Sequence, residues 1–227
     1  MLLVIERLLA ADEVVLLRRE LAGAAWKDGA QTAGTRSVTV KQNMQLSVSD
    51  PHARELGNRI LSALGHNSLF VSASLAEKIF PPVFNCYQGG GHYGSHVDSA
   101  LMRVPGADIT LRSDLSATIF LSDPESYEGG ELVIESEYGA QEVKLQAGDM
   151  VLYPSNSLHQ VAPVTEGQRL AAVTWIQSAV ADGAARAMLF DLDQAIQSLS
   201  VGRSMTDPDI ERLVHVYHNL LRRWASV

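Results

Sequence analysis

The middle of the chain, residues 78–177, breaks into short runs of β-branched and aromatic residues separated by turn signals. Runs of this kind predict β-strands, and dipeptides such as Asp123-Pro124, Gly129-Gly130 and Gly148-Asp149 mark the turns between them. A succession of such strands predicts a mainly β fold, either a double-sheet jelly roll or a related barrel. The predicted strands are residues 83–87, 116–122, 131–135, 142–145, 150–153, 160–163 and 170–176.

The N-terminal part is predicted to combine strands with helices packed on this β-core. Val14, Leu17 and Leu21 share the inner face of the first helix. Asp50 followed by Pro51 is typical of a helix start, because the first residue caps the helix and proline suits its first turn. The predicted elements are a strand over 2–5, a helix over 12–22, a strand over 41–47 and a helix from 51 to about 65.

After Gln177 apolar residues recur at helical spacing, which predicts a helical hairpin over about residues 180–227. The hairpin has no catalytic signature, so we expect it to cap the β-core or to form a homodimer contact. His215 and His218 lie three residues apart on its second helix, where we expect a solvated face. These patterns divide the chain into an N-terminal α/β part (1–77), a jelly-roll core (78–178) and a C-terminal helical cap (179–227).

Charge and composition argue against several classes of protein. The net charge of −8 argues against strong binding to nucleic acid or to an anionic membrane. The single cysteine, Cys86, excludes an internal disulfide and fits a buried core residue in a reducing compartment. Glu6 and Arg7 interrupt the apolar start too soon for a signal peptide or membrane span. We therefore expect a cytoplasmic protein with no membrane association.

The strongest sign of function is the pair His96 and Asp98. In an extended segment, side chains two residues apart leave the same face of the chain. His159, at the start of a predicted strand, would complete a set of two histidines and one carboxylate, which holds non-haem Fe(II) and leaves other positions on the ion open. Arg169, on the next predicted strand, offers a fixed cation that can bind a carboxylate through two hydrogen bonds.

The surroundings of these residues favour such a site. A glycine run precedes His96, where small residues let backbone and ligands approach closely. Alternation along the strand puts Val173 and Trp175 on the face of Arg169. The residues alone also leave open a β-sandwich with a buried histidine or two and a surface arginine. The expected apolar wall of the site consists of Ile119, Val161, Val173 and Trp175.

Several segments resemble the Fe(II)- and 2-oxoglutarate-dependent dioxygenases and, more narrowly, the bacterial PKHD-type hydroxylases, which are related to the prolyl and lysyl hydroxylases. The resemblance extends over nearly the whole chain, including the helical tail. The segments that carry it are 85–87, 94–98, 114–121, 127–132, 152–155, 159–161, 189–194 and 216–224.

The resemblance implies a double-stranded β-helix (jelly-roll) core with iron inside one mouth. It implies Fe(II) as the metal, held by His96, Asp98 and His159, with 2-oxoglutarate as cosubstrate, O2 as oxidant and ascorbate as a candidate reductant. The implied reaction hydroxylates an unidentified small-molecule or peptide substrate and releases succinate and CO2, with a link to iron uptake or homeostasis.

The resemblance also assigns roles around the cosubstrate. Arg169 is expected to bind the distal carboxylate of 2-oxoglutarate, Tyr87 to hydrogen-bond the same group, and Trp175 to pack beside the metal. The sequence departs from many prolyl hydroxylases at Phe120, where they have a tyrosine. A second hydroxyl contact to the cosubstrate would then be missing, and Arg169 would carry more of the binding.

The residues that border the substrate are less well defined. Alternation puts Lys41, Asn43 and Gln45 on one strand face, and Tyr93 lies beside the candidate ligands. Residues 99–114, which include Arg103, have little pattern and suit a mobile lid or an ordinary surface loop.

Two other classes remain in view. A cupin-like metal-binding isomerase or regulator would normally show His-x-His and a downstream glutamate, and it would have no use for Arg169. A nucleic-acid demethylase of the same superfamily is disfavoured by the acidic balance of the chain.

Overall fold

The fold is built on two antiparallel β-sheets, with helices at both ends of the chain. The computed structural model describes residues 1–32, 40–136, 139–204 and 206–226. The strands are β1 Leu3–Ile5, β2 Lys27–Asp28, β3 Lys41–Gln42, β4 Met44–Gln45, β5 Ala76–Ile79, β6 Val83–Gln88, β7 His92–His96, β8 Leu101–Arg103, β9 Thr110–Arg112, β10 Leu115–Phe120, β11 Tyr127–Gly129, β12 Leu132–Ser136, β13 Gly139–Val143, β14 Met150–Pro154, β15 His159–Val161 and β16 Val164–Ser178. The α-helices are α1 Ala11–Ala22, α2 Pro51–His66, α3 Ser68–Ser74, α4 Gly183–Ser200 and α5 Pro208–Trp224.

The two sheets differ in size and in position. Within the described residues, the large sheet has nine strands in the order β1-β14-β10-β16-β6-β4-β2, with β11 and β5 also paired to β16. The small sheet runs β13-β12-β15-β7-β3, and β8 pairs with β9 as a separate hairpin. This arrangement confirms the predicted mainly β jelly-roll fold with flanking helices.

The large sheet is buried on both faces, and its two faces have different roles. Ala117, Ile119 and Leu152 belong to a core cluster shared with α1 and α2. Phe120 and Tyr153, on the opposite face, pack with residues of the small sheet in a second cluster. Successive side chains along one strand therefore point into different layers of the fold. The space between the two sheets is where the candidate site lies.

The C-terminal helices pack on one another and on the core. Asp182 and Asp207 cap α4 and α5 by accepting backbone N–H groups. Val180, Ala185 and Leu189 form a small cluster with Leu75, which follows α3, and with apolar residues of α5. The predicted helical hairpin is thus present, and His215 and His218 lie on its exposed face. None of the described helices combines the length and the apolar character needed to cross a membrane.

Three expectations about individual elements need correction. The predicted strand over 41–47 is two short strands, β3 and β4, which belong to different sheets. Residues 99–114, expected to form a mobile lid or an ordinary surface loop, contain the regular hairpin β8–β9. Helix α3 and strand β5 follow α2 in a region where the sequence pattern predicts no element.

Candidate metal centre

The small sheet brings the two candidate histidine ligands together. His159 on β15 is the direct register partner of His96 on β7, and the pairing is irregular just beyond it, between His159 and Val161. Asp98 lies in the segment after β7. One ligand atom from each of these three residues lies within 4.8 Å of the others. All three side chains are at most 10% exposed.

Backbone carbonyls fix the orientation of both imidazole rings. His96 Nδ1 lies 2.8 Å from the Gly94 carbonyl oxygen, and His159 Nδ1 lies 3.0 Å from that of Ser157. A carbonyl can only accept, so each Nδ1 donates its N–H and each Nε2 keeps a lone pair for a metal. Burial, followed by the neighbouring His159, lowers the pKa of His96 to about 4. The His96 ring is therefore neutral at pH 7, as a metal ligand must be.

Aromatic rings pack against the candidate ligands. The Tyr93 ring stacks on His96 with a centroid separation of 3.6 Å and an interplanar angle of 16°. Tyr153 meets His159 edge-on at 5.2 Å. These contacts, together with the carbonyl hydrogen bonds, restrict rotation of both imidazoles.

The carboxylate of Asp98 faces both histidines. Its Oδ1 lies 3.9 Å from His96 Nε2, and its Oδ2 lies 3.8 Å from His159 Nε2. Ser116 Oγ, on β10 of the large sheet, donates a 2.6 Å hydrogen bond to Oδ2. Two imidazole nitrogens and one carboxylate converging on one point are the donor set expected for non-haem Fe(II), so the residues fit this metal.

Arg169 lies in the same interior, and none of the described residues forms an ion pair with its guanidinium. The residue is 1% exposed, and its guanidinium carbon lies 5.3 Å from the centre of the Tyr87 ring and 5.2 Å from that of Phe120. Within the described residues, its buried Nε and Nη2 have no hydrogen-bond partner. Buried donors on a cation without an acceptor are costly unless a ligand supplies one. A carboxylate of a bound ligand would satisfy both donors.

Two tyrosines accompany this arginine. Burial raises the pKa of Tyr87 to about 12, although the Arg169 charge opposes the shift. Burial raises the pKa of the Tyr127 hydroxyl, and the nearby Arg169 charge opposes this shift. Within the described residues, no partner lies in hydrogen-bonding geometry with the Tyr127 hydroxyl. No sequence pattern singles out Tyr127, although it lies in the segment 127–132 that carries the family resemblance.

Gly130 explains how the side chains of Arg169 and Tyr127 fit next to each other. A Cβ at this position would lie 3.0 Å from Arg169 Cδ and 3.0 Å from Tyr127 Cε2. The backbone φ is +68°, a conformation that side chains other than glycine rarely adopt. The Gly129-Gly130 turn thus leaves the space in which the arginine and tyrosine lie side by side.

A cavity of about 580 Å³ connects the candidate ligands with Arg169 and opens to the surface. Val161, Val173 and Trp175 line it as expected, whereas Ile119 lies in the core cluster on the other face of β10. The expectation for Ile119 was therefore wrong, and Thr118 lies at the cavity instead.

The residues expected to border the substrate divide into two groups. Lys41, Tyr93 and Arg103 line the cavity. Asn43, in contrast, is buried behind the lining. It donates a 2.9 Å hydrogen bond to Asn85, and Asn85 lines the cavity. Burial lowers the pKa of Lys41 to about 8, and its Nζ lies 3.2 Å from Gln45 Oε1.

The β8–β9 hairpin forms one side of the cavity mouth. Met102, Arg103 and Pro105 line the cavity, while Leu111 is buried in a cluster with Phe80 and Val83. Arg103 itself is exposed and lies 3.7 Å from Asp108. Trp175 packs edge-on against Phe80 in this cluster. Its buried Nε1–H has no hydrogen-bond partner in the described part of the chain.

The sequence has close relatives. Residues 82–177 match the family model of the 2OG-Fe(II) oxygenase superfamily, and residues 183–226 match that of the PKHD-type hydroxylase C-terminal domain. The chain is 59% identical over 226 residues to a PKHD-type hydroxylase of Teredinibacter turnerae. It is 54% identical over 228 residues to one of Saccharophagus degradans. Both matches cover all of this chain and all of the relative.

Solved structures show the same fold at low sequence identity. A prolyl-4-hydroxylase of Pseudomonas putida has a TM-score of 0.54 and 20% identity, with 78% of this chain and 92% of that chain covered. HygX of Streptomyces hygroscopicus, solved with nickel, 2-oxoglutarate and hygromycin B bound, has a TM-score of 0.52 and 15% identity, with 78% and 82% covered.

Proposed function

Because this chain belongs to the PKHD-type hydroxylases of the 2OG-Fe(II) oxygenase superfamily, we propose that it hydroxylates its substrate at an Fe(II) ion held by His96, Asp98 and His159. The chain is a non-haem Fe(II)- and 2-oxoglutarate-dependent dioxygenase. Family membership also decides against the cupin-like isomerase or regulator.

The observation that supports the site assignment is that one cavity holds both the candidate metal ligands and a buried arginine whose Nε and Nη2 have no hydrogen-bond partner among the described residues. Each feature alone is compatible with a purely structural role. A histidine pair can stabilise a core, and a buried arginine can bind backbone carbonyls. Their combination supports a cosubstrate that contacts a metal with one end and a guanidinium with the other.

The side chains around the cavity would have different roles in the reaction. Bound Fe(II) supplies oxygen activation, coupled to the decarboxylation of 2-oxoglutarate to succinate and CO2. Arg169 and Tyr87 would hold the distal carboxylate and so fix the direction in which the cosubstrate enters. Val161, Val173 and Trp175 would exclude water from the side of the cavity where the substrate C–H bond lies.

We propose a small-molecule or peptide substrate that enters past Lys41, Tyr93 and Arg103. The size of the cavity supports a small molecule or one side chain of a peptide. The link to iron uptake or homeostasis is proposed from the family resemblance, and the cytoplasmic location from the composition of the sequence. A homodimer through α4 and α5 is likewise a proposal from the sequence.

An anaerobic titration tests the metal assignment. Fe(II) with 2-oxoglutarate should give a visible charge-transfer band with the wild type, since the cosubstrate occupies open positions on the ion. His96→Ala, Asp98→Ala and His159→Ala should each abolish the band while the circular dichroism spectrum stays native. His215→Ala, which removes an exposed histidine of α5, is the matched control and should keep it. A full-strength band in any of the three variants would remove that residue from the set.

A further inference from the structure

Two buried serines of the large sheet contact the candidate ligand Asp98. Ser116 lies on β10, and Ser155 directly follows β14. The Ser116 hydroxyl lies 2.6 Å from Asp98 Oδ2 and 2.8 Å from the Ser155 hydroxyl. Ser116 is 0% and Ser155 2% exposed, so bulk water does not compete for these bonds.

The direction of the hydrogen bonds follows from the chemistry of the groups. An ionised carboxylate only accepts, so Ser116 must donate its single hydroxyl hydrogen to Asp98. Ser155 must then be the donor to Ser116. The result is a chain of two hydroxyls that ends on one carboxylate oxygen, and each bond polarises the next.

The two oxygens of Asp98 lie at similar distances from the candidate histidine ligands. They lie 3.9 Å and 3.8 Å from the nearer histidine Nε2 atoms, so distance alone would allow both to bind one ion. The Ser116 hydrogen bond is the difference between them, since this hydroxyl donates to Oδ2 and not to Oδ1.

We propose that Ser116, supported by Ser155, restricts Asp98 to a single metal-binding oxygen, Oδ1. This inference rests on the proposed function, because it requires Asp98 to be a metal ligand. A carboxylate that binds through one oxygen uses one position on the ion, whereas chelation through both oxygens would use two. The serines thus keep open a position that the cosubstrate needs.

The placement of the serines on the large sheet makes them suitable for this role. Ser116 pairs through its backbone with Tyr153 on one side and Trp175 on the other, in the centre of the sheet. Asp98 follows a strand of the small sheet. The hydroxyl chain therefore ties the ligand segment to a rigid element of the opposite layer.

Anaerobic Co(II) binding tests the proposal without relying on turnover. The visible ligand-field spectrum of bound Co(II) responds to the number of ligands, and 2-oxoglutarate binding to the Co(II)-loaded protein is measured by calorimetry. Ser116→Ala should change the spectrum and lower 2-oxoglutarate affinity by about tenfold, the lower end of what hydrogen-bond partners of ligands contribute. Ser155→Ala should act in the same direction with a smaller effect.

Ser74→Ala is the matched control, since Ser74 is also 0% exposed but lies on α3. A spectrum and a 2-oxoglutarate affinity in Ser116→Ala that equal those of this control would overturn the proposal. If Ser116→Ala does not fold, the same comparison with Ser155→Ala decides. Failure of the proposed function gives a different result, namely Asp98→Ala binding Co(II) as tightly as the wild type.

Discussion

Arg169 shows how much one side chain can indicate about a ligand. The residue keeps a positive charge at 1% exposure, against the faces of Tyr87 and Phe120, with two donors unpaired within the described residues. An arginine held only for stability would normally pair with a carboxylate or with backbone carbonyls. Arg186, which is also buried, donates to the Val180 carbonyl in this way. The contrast between the two arginines supports a ligand-binding role for Arg169.

Substitution of Arg169 should therefore affect the cosubstrate and spare the metal. Arg169→Ala would leave a carboxylate without its cation and should weaken 2-oxoglutarate binding by about 30-fold to several thousand-fold, or about 2–5 kcal/mol. The 2-oxoglutarate affinity of Arg169→Lys should lie between those of the wild type and Arg169→Ala, because lysine keeps the charge and lacks the paired N–H donors of the guanidinium. Calorimetry with Fe(II) and with 2-oxoglutarate separates the two affinities. Unchanged cosubstrate affinity in Arg169→Ala would rule out this role, and a parallel loss of iron would indicate a structural one.

Tyr127 is a candidate site residue that the structure reveals and that no sequence pattern singles out. Its hydroxyl is buried beside Arg169 without a hydrogen-bond partner among the described residues. Tyr127→Phe keeps the ring and removes only this group, so we expect 2-oxoglutarate affinity to fall by about threefold to tenfold, as for one hydrogen bond of about 1 kcal/mol. Titration of the Fe(II)-loaded variant measures the change. An affinity equal to that of the wild type would mean that Arg169 needs no help from this hydroxyl.

Most of the strands and helices could be predicted from the sequence, but the face to which each side chain points could not. Strands β6, β10, β12, β13, β14, β15 and β16 and the helices α1, α2, α4 and α5 follow from hydrophobic period and turn chemistry, whereas β7 and β11 are not among the predicted strands. Strand β10 is buried at every position, so hydrophobicity does not distinguish its faces. For this reason the sequence predicts Ile119 at the cavity, although it packs with the core cluster. The contact of Ser116 with Asp98 is hidden from the sequence by the same uniform burial.

The β8–β9 hairpin has no clear sequence signal because its strands are three residues each and its apolar residues are few. Leu111 is 1% exposed, whereas Ile109 on the same hairpin is 47% exposed. The buried side chain of Leu111 ties the hairpin to Phe80 and Val83. The contact is a tertiary one that no local pattern reports.

Truncation of Leu111 should loosen the hairpin without unfolding the core. Leu111→Ala removes a buried side chain, which costs about 2–5 kcal/mol where packing cannot relax, and the cost should fall on the local opening of the hairpin. We expect faster tryptic cleavage after Arg103 with little change in melting temperature. Ile109→Ala is the control on the same hairpin. Equal cleavage rates in the two variants would show that Leu111 does not hold the hairpin in place.

For the molecule as a whole, the helical tail forms one packed unit with the rest of the chain in the structure. Leu189 is 0% exposed and packs in a cluster that includes Leu75, at the end of α3. Polar contacts cross the same boundary, since Ser72 of α3 donates to Asp193 of α4. We therefore propose that the tail, residues 179–227, is a cap that keeps the rest of the chain soluble.

Removal of the tail tests this view. A chain that ends at Ser178 would uncover Leu75 and the apolar side of α3, which leaves a continuous apolar patch on the core. We expect this chain to aggregate and to bind a hydrophobic dye, with a lowered melting temperature. A chain that ends at Val201 keeps α4 over the core and loses only α5, so it should be affected less. The metal site lies in the β-core, so any truncated protein that stays folded should still bind Co(II). Full solubility and a wild-type melting temperature in the chain ending at Ser178 would show that the tail is a dispensable appendage.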